Sequence, residues 1–466
     1  MKRLLLFVGL ALIPSFIFAK IWTPSVISNN MVLQQNSQVT IWGWTTHTTE
    51  EIIVTGSWNN QPVKTKAHHG KWSLRLPTPK AGGPYQLTIK GHEEIVYNQI
   101  LIGEVWLASG QSNMEWNATL GFNNAKEEVA NANYPNIRLL HIPKHQADTP
   151  QQDTPGSWEK CTPQTMKTFS ATAYFFARYL HQKLDVPIGI INSSWGGTPA
   201  EVWVKEEVVK NNQQLVESQK KLPKNNWHSF EPGKMYNAMI APLIPFKIAG
   251  TIWYQGESNR LAPHTYTQLF TQLIDSWRES WGYKFPFYYV QIAPFNYREK
   301  NAGVMIREAQ LKAMNHDNVG MVVVSDIGNI NNIHPGNKQH VGKRLANWAL
   351  AKTYNKANIS YSGPVYRSME INNNKVVLHF DYAQSGLMKK GKKLTHFVIA
   401  DKSKQFVSAK AKIKGNTVVV WSNKVKHPVA VRFAWDNIAT PNLFNNEGLP
   451  ASAFRTDSWT ISIKKN

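Results

Sequence analysis

Between Lys20 and about Ile100 short apolar runs alternate with polar and turn-forming residues. Runs at residues 39–44, 52–55, 72–76 and 85–89 are separated by Ser57-Trp58-Asn59-Asn60 and Ala81-Gly82-Gly83-Pro84. Strands at this spacing predict a small antiparallel β domain over residues 20–98. The period then changes. From residue 99 to 354, apolar runs at 100–108, 188–192, 248–254, 287–291 and 321–325 alternate with helical patterns at 171–183, 266–281, 306–313 and 338–352. That alternation predicts an α/β domain, a parallel sheet flanked by helices. Beyond residue 355, β alternation returns at 375–380, 397–400, 417–421 and 429–434, predicting a second β domain to residue 466.

A chain of 466 residues is long enough for two or three such domains, and 42% hydrophobic with 18% charged residues fits a globular protein. Lys2-Arg3, the apolar stretch from Leu4 to Phe18 and the small Ala19 read as an export signal over residues 1–19, too short for a typical membrane span. Cys161 is the only cysteine, which rules out an intramolecular disulfide and a cysteine-based metal site. An exported chain without disulfides suits a bacterial periplasm or cell surface. The net charge of +22 invites a nucleic-acid reading, but the basic residues are scattered, with short clusters such as Lys389-Lys390-Gly391-Lys392-Lys393, and no nucleic-acid motif accompanies them. A basic surface attracted to anionic envelope or acidic sugars fits better. The 18 Trp residues are many, and Trp both fills cores and stacks on sugar rings.

Four of the five predicted α/β strands run straight into polar or glycine-rich segments, and in open α/β sheets the site lies beyond the carboxyl ends of the strands. After the first strand, Ser109-Gly110 turns the chain and presents Ser112, a place for an exposed nucleophile beside Gln111. After the second comes Ser193-Ser194-Trp195-Gly196-Gly197-Thr198, whose paired glycines suit backbone N–H groups aimed at an oxyanion. After the third comes Gln255-Gly256-Glu257-Ser258-Asn259, where Gln255 offers an amide donor and Glu257 and Asn259 offer loop-holding hydrogen bonds, with Glu257 as general base a rival role. After the fifth, a turn-rich loop carries Asp326 and then His334, a natural general base toward Ser112.

These segments, in order, resemble the SGNH hydrolases and within them the sialate O-acetylesterase family of carbohydrate esterases. The resemblance is carried by Gly110-Gln111-Ser112-Asn113-Met114, Ser194-Trp195-Gly196-Gly197-Thr198-Pro199, Tyr254-Gln255-Gly256-Glu257-Ser258-Asn259 and Ile333-His334-Pro335. The downstream Ala434-Trp435-Asp436-Asn437 and Gly448-Leu449-Pro450-Ala451 are similar too. The resemblance implies a three-layer α/β/α catalytic domain and hydrolysis of O-acetyl esters on sugars, sialic acids above all. It implies Ser112 as nucleophile and His334 as base. The oxyanion hole would be the Ser112 N–H, an N–H of Gly196 or Gly197 and the Gln255 amide. No metal or cofactor is implied. One departure stands out: the positions two and three before the histidine, where relatives carry an acid, are Asn332 and Asn331. Either Ser112 and His334 work as a dyad, or Asp326 folds back to complete a triad. An acetylxylan or other hemicellulose deacetylase, a non-catalytic sugar-binding protein and a binder of anionic polymers are the competing readings.

Overall fold

The computed structural model describes residues 20–465, so the export segment expected at residues 1–19 lies outside the described residues. Seven strands of an eleven-stranded sheet carry the site: β1 Glu94–Gly110, β2 Tyr134–His141, β3 Trp158–Cys161, β4 Ile188–Ser194, β5 Gly250–Tyr254, β6 Phe287–Val290 and β7 Val319–Val322. Their order is β3-β2-β4-β1-β5-β6-β7. All neighbours are parallel except β3 with β2. The successive strands β4 and β5 lie on opposite sides of β1, so the sheet reverses its winding at β1 and leaves a crevice above its carboxyl end.

From Ile100 to Gly110 both faces of β1 are buried, as expected of a parallel sheet covered by helices. Val105 and Leu107 join one apolar cluster with Trp253, Phe287 and Tyr289, while Trp106 and Ala108 join the opposite cluster with Tyr254, Tyr288 and Val290. The first cluster is completed by helices α3 (Pro263–Trp281) and α4 (Ala302–Lys312), and the second by α2 (Ala171–Leu184) and α5 (Lys338–Trp348). A one-turn helix, α1 (Ser112–Glu115), follows β1 directly. Helix α2 starts where the Ser170 hydroxyl oxygen accepts the Ala173 N–H at 3.1 Å, an N-cap that typically contributes about 1 kcal/mol. The same hydroxyl donates to the Met114 carbonyl at 2.5 Å and so fastens α2 behind α1. Helices α2 and α5 pack closely because Gly342 has no side chain: a Cβ there would lie 2.6 Å from that of Phe175.

The first 10 residues of β1, Glu94 to Gly103, belong to the N-terminal β domain, where they pair with Gly82–Lys90 and Val32–Gln34. One continuous strand therefore crosses the expected boundary at residue 98/99. Two strands of the α/β sheet, β2 and β3, were not visible in the pattern: β2 keeps Tyr134, Pro135 and Asn136 at least partly exposed and is apolar only in its second half. At the other end of the chain, two four-stranded sheets share one core that includes Val376, Leu378, Ile399, Val420, Phe433 and Phe454. This C-terminal domain docks on the α/β domain through Asn437, whose side-chain oxygen accepts the Gly303 N–H at 2.9 Å at the start of α4. Among the described residues no helix is long and apolar enough to cross a membrane.

Candidate active site

Ser112 is placed by glycine geometry. Gly110 has φ +135°, and a Cβ on it would lie 2.2 Å from the Tyr254 carbonyl oxygen, so β1 can turn this tightly beside β5 only with glycine there. Ser112 then opens α1, where its N–H is among the first of the helix and has no partner within it. The Gln111 side-chain oxygen accepts the N–H groups of Gly256 and Ser258, each at 3.3 Å, tying the nucleophile turn to the loop after β5.

The loop after β7 brings His334 to this turn. The Asn332 side-chain oxygen accepts the His334 N–H at 2.9 Å, and His334 Nε2 lies 2.9 Å from Ser112 Oγ. The Trp116 ring lies nearly parallel to the imidazole, at 18° with centroids 4.0 Å apart. Burial, aided by the positive charge of Lys338 and opposed by Glu115, pushes the imidazole down from 6.5 to about 4. His334 is therefore neutral at ordinary pH, the state a proton acceptor needs.

Beside Ser112 and His334 lies a buried polar hub centred on Asn113. Its amide donates to Glu257 Oε1 at 2.8 Å and to the Ile333 carbonyl at 2.9 Å, and its oxygen accepts from Lys338 Nζ at 2.6 Å. One side chain thus joins the nucleophile turn, the loop after β5, the base loop and the start of α5. Burial pushes Glu257 up and Lys338 down to about 7, each partly offset by the other's charge. Glu257 Oε2 is buried and finds no hydrogen-bond partner among the described residues.

The structure rearranges several expected roles. Asp326 does not reach His334. Both its oxygens accept from Arg344 at 2.7 Å, and this buried guanidinium on α5 also donates to the Val323 carbonyl at 2.7 Å. A buried arginine without its carboxylate would carry an uncompensated charge, so Asp326 braces the loop against α5. Gln255 is also engaged: its amide donates to Asn259 Oδ1 at 2.7 Å and to the Thr198 carbonyl at 3.3 Å, and its oxygen accepts from Tyr266 at 2.8 Å. Asn259 in turn donates to Glu201 at 2.8 Å and accepts the Ala200 N–H at 2.9 Å, so these residues hold the loops after β4 and β5 together. The Gly196 N–H, one of the expected oxyanion donors, donates to Glu115 Oε2 at 2.6 Å. The other Glu115 oxygen pairs with Lys144. A Cβ on Gly196 would lie 3.3 Å from the Ser112 Cβ, so this backbone packs directly against the Ser112 turn. Gly197, at φ +79°, follows directly.

Sequence reasoning named no role for Asn113, Glu115, Trp116 or Lys338. Glu115 was within reach of it, because the spacing of three from Ser112 puts both on one side of a helical turn. Lys338 carried a signal as well: a cation in the first turn of a helix opposes the macrodipole and calls for a reason. Among the described residues no group of three or more His, Cys, Asp or Glu is arranged to hold a metal ion.

Comparison with known proteins agrees with this architecture. The profile of the family described as "Carbohydrate esterase, sialic acid-specific acetylesterase" matches residues 102–351. The sialate O-acetylesterase of Homo sapiens is 31% identical over 402 residues, covering 77% of this chain and 76% of that protein. The Mus musculus sialate O-acetylesterase is 30% identical over 433 residues, covering 77% and 78%. A crystal structure of a carbohydrate acetylesterase from Xanthomonas citri superposes with a TM-score of 0.86 at 36% identity, covering 94% of this chain and 100% of that one. The chain is an esterase of the SGNH type, with an acetylated sugar as substrate class, and it belongs to the sialic acid-specific acetylesterase family of carbohydrate esterases.

Proposed function

We propose that the protein is a sialate O-acetylesterase working through a Ser112–His334 dyad. The observation that carries this reading is the 2.9 Å contact between Ser112 Oγ and the Nε2 of an imidazole kept neutral by burial. His334 takes the Ser112 proton as Oγ attacks the acetyl carbonyl, and the acetyl group passes to Oγ. The charge on the carbonyl oxygen is met by the Ser112 N–H at the start of α1 and by the Gly196–Gly197 backbone, donors each worth about 3 kcal/mol by analogy with oxyanion holes elsewhere. Since Glu115 holds the Gly196 N–H in the free enzyme, the acyl oxygen competes with a carboxylate for that donor. His334 then returns its proton to the departing sugar oxygen, and water repeats the cycle on the acetyl-enzyme.

An alkoxide stabilised by protonation is a better leaving group than an amide nitrogen, which fits a base held by stacking on Trp116 and by the Asn332 turn in place of a carboxylate. The sialate assignment rests on the family description and on the names of the mammalian relatives. Export to a bacterial periplasm or surface is part of the same proposal and rests on the pattern of residues 1–19.

Acetate release from O-acetylated sialic acid and from acetylated xylan, by wild type and by Ser112→Ala, tests both parts. Release from the sialic acid that disappears in the variant supports nucleophile and substrate together. Release from xylan alone keeps the mechanism and replaces the substrate. Release that survives in Ser112→Ala removes the dyad.

A further inference from the structure

A groove of about 690 Å³ lies between the N-terminal β domain, which contributes nothing to the chemistry above, and the α/β domain, which supplies Gln151, Gln152, Ala241, Pro242 and Pro245 to its wall. Its floor is a three-stranded sheet of Ile21–Trp22, Ser37–Thr45 and Lys71–Thr78. Residues paired across strands share a face. Trp22 pairs with Trp44, Trp44 with Lys71, Trp42 with Ser73 and Thr40 with Arg75, so all of these point to the same side. The intervening residues Val39, Ile41, Leu74 and Leu76 fill the core on the other side.

On this side Trp42 is buried in the core, Trp44 is half-buried and lines the groove, and Trp22 stands beside it outside the lining. Trp22 is 40% exposed, and the Trp22 and Trp44 rings stack at 24° with centroids 6.1 Å apart. The Trp44 indole N–H donates to Gln152 Oε1 at 3.3 Å, which fixes that ring against the groove wall. Aromatic rings left partly open on a sheet are costly to hydrate and favour an occupant with one apolar face. A pyranose ring has such a face, with its hydroxyls left wet at the rim.

The lysines and the absence of carboxylates give the groove lining itself a positive charge. Lys66 and Lys71 line it, neither is ion-paired among the described residues, and no Asp or Glu is in the lining. Arg75 stands on the same sheet face, close enough to Lys247 to disfavour its charge in addition to the effect of burial. Two neighbouring carboxylates are engaged elsewhere: Glu51, the cross-strand partner of Lys66, pairs with Lys64 at 3.3 Å, and Asp153 accepts from the Ser25 N–H at 2.8 Å and from the Ser25 hydroxyl at 3.2 Å. The groove is also separate from the dyad. Pro242 and Pro245 in its wall precede the amino end of β5, whereas Ser112 follows the carboxyl end of β1.

We propose that this groove binds an acidic oligosaccharide, with a pyranose ring stacked on Trp44 and sugar carboxylates facing Lys66 and Lys71. It holds a carboxylate-bearing glycan chain at a second place on the enzyme. The proposal does not depend on the Ser112–His334 assignment or on sialate specificity.

The test is calorimetric titration of the full chain with hexagalacturonate, neutral xylohexaose and dextran sulfate, with hydrolysis of a small soluble acetyl ester measured in parallel. Hexagalacturonate is expected to bind saturably and to weaken as salt rises. Trp44→Ala should weaken it by about tenfold, while Trp44→Phe, which keeps a stacking ring, should stay within about threefold of wild type. Lys71→Ala should weaken it by several-fold and flatten the salt dependence. Ester hydrolysis should be unchanged in all three variants, showing that they fold. The proposal is overturned by the absence of hexagalacturonate binding, by xylohexaose binding equally well, or by Trp44→Ala leaving affinity intact. Dextran sulfate binding as tightly as hexagalacturonate in both wild type and Trp44→Ala would reduce the groove to a patch of surface charge and overturn it too.

Discussion

Asp326 and Arg344 meet directly through two hydrogen bonds of 2.7 Å, whereas Glu257 and Lys338 share no ion pair among the described residues and are joined only through the Asn113 amide. Both arrangements are buried and both touch the segment that delivers His334. They do different work. In the bidentate pair each charge is answered by its opposite at contact distance, which makes a strut between the base loop and α5. In the bridged pair an uncharged amide stands between the charges, so each keeps more of its desolvation cost. Glu257 is driven up and Lys338 down as a result. The bridged pair is joined to the Ser112 turn through Asn113, and the Lys338 charge acts on His334. Burial of charge therefore says little about function by itself; whether the partners touch decides whether the pair braces the fold or sets the state of a reacting group.

The contrast can be broken experimentally. The largest effects belong to the dyad: Ser112→Ala and His334→Ala are each expected to lower kcat by about a thousandfold or more, read as acetate release, with thermal stability near wild type. Asp326→Asn should separate from them. It is expected to cost about 3 kcal/mol in chemical denaturation by leaving Arg344 unpaired, while kcat/KM of the folded fraction falls less than about tenfold. A loss of activity equal to that of His334→Ala would restore a triad.

Asn113→Ala strips partners from Glu257, Lys338 and the Ile333 carbonyl at once. Its expected cost is about 3 kcal/mol of stability, with a drop in kcat well beyond that of Asp326→Asn because the base loop loses its tie to α1. The pH profile sharpens the comparison further. A lowered imidazole pKa means that protonation, and loss of the base, waits until the pH falls toward about 4, so kcat/KM should hold through neutrality and decline with an acid limb there. Lys338→Met removes a repelling charge and should move that limb up toward 6.5, while Glu115→Gln removes an attracting one and should move it down. The smallest effect expected is for Trp116→Ala. Loss of the stack on His334 should reduce kcat by about fivefold with KM little changed, a stacking contribution of about 1 kcal/mol.

How much of this was legible in the sequence follows from the range over which each feature is encoded. The apolar run into Ser109-Gly110 marked a strand that turns sharply, because a strand and a glycine-dependent turn are written within a dozen residues. The helices at 171–184 and 263–281 were legible within three residues at each end for the same reason, and so was the position of His334 between a strand and a helix. The strand Tyr134–His141 was not, since its exposed first half conceals the period.

What the sequence determined by itself is the alternation of elements, the order of the loops that carry chemistry, and the two residues, Ser112 and His334, whose side chains those loops present. The tertiary structure alone decided the partners. Asp326 is eight residues from His334 in the chain, yet it meets Arg344, 18 residues away, because α5 returns along the sheet and brings a buried guanidinium that needs it. Asn113 meets Lys338 across 225 residues, and Glu115 meets Gly196 across 81. Hydrogen bonds and ion pairs act over about 3 Å, so which polar groups answer one another is fixed only when packing of the apolar faces has set the distances between them.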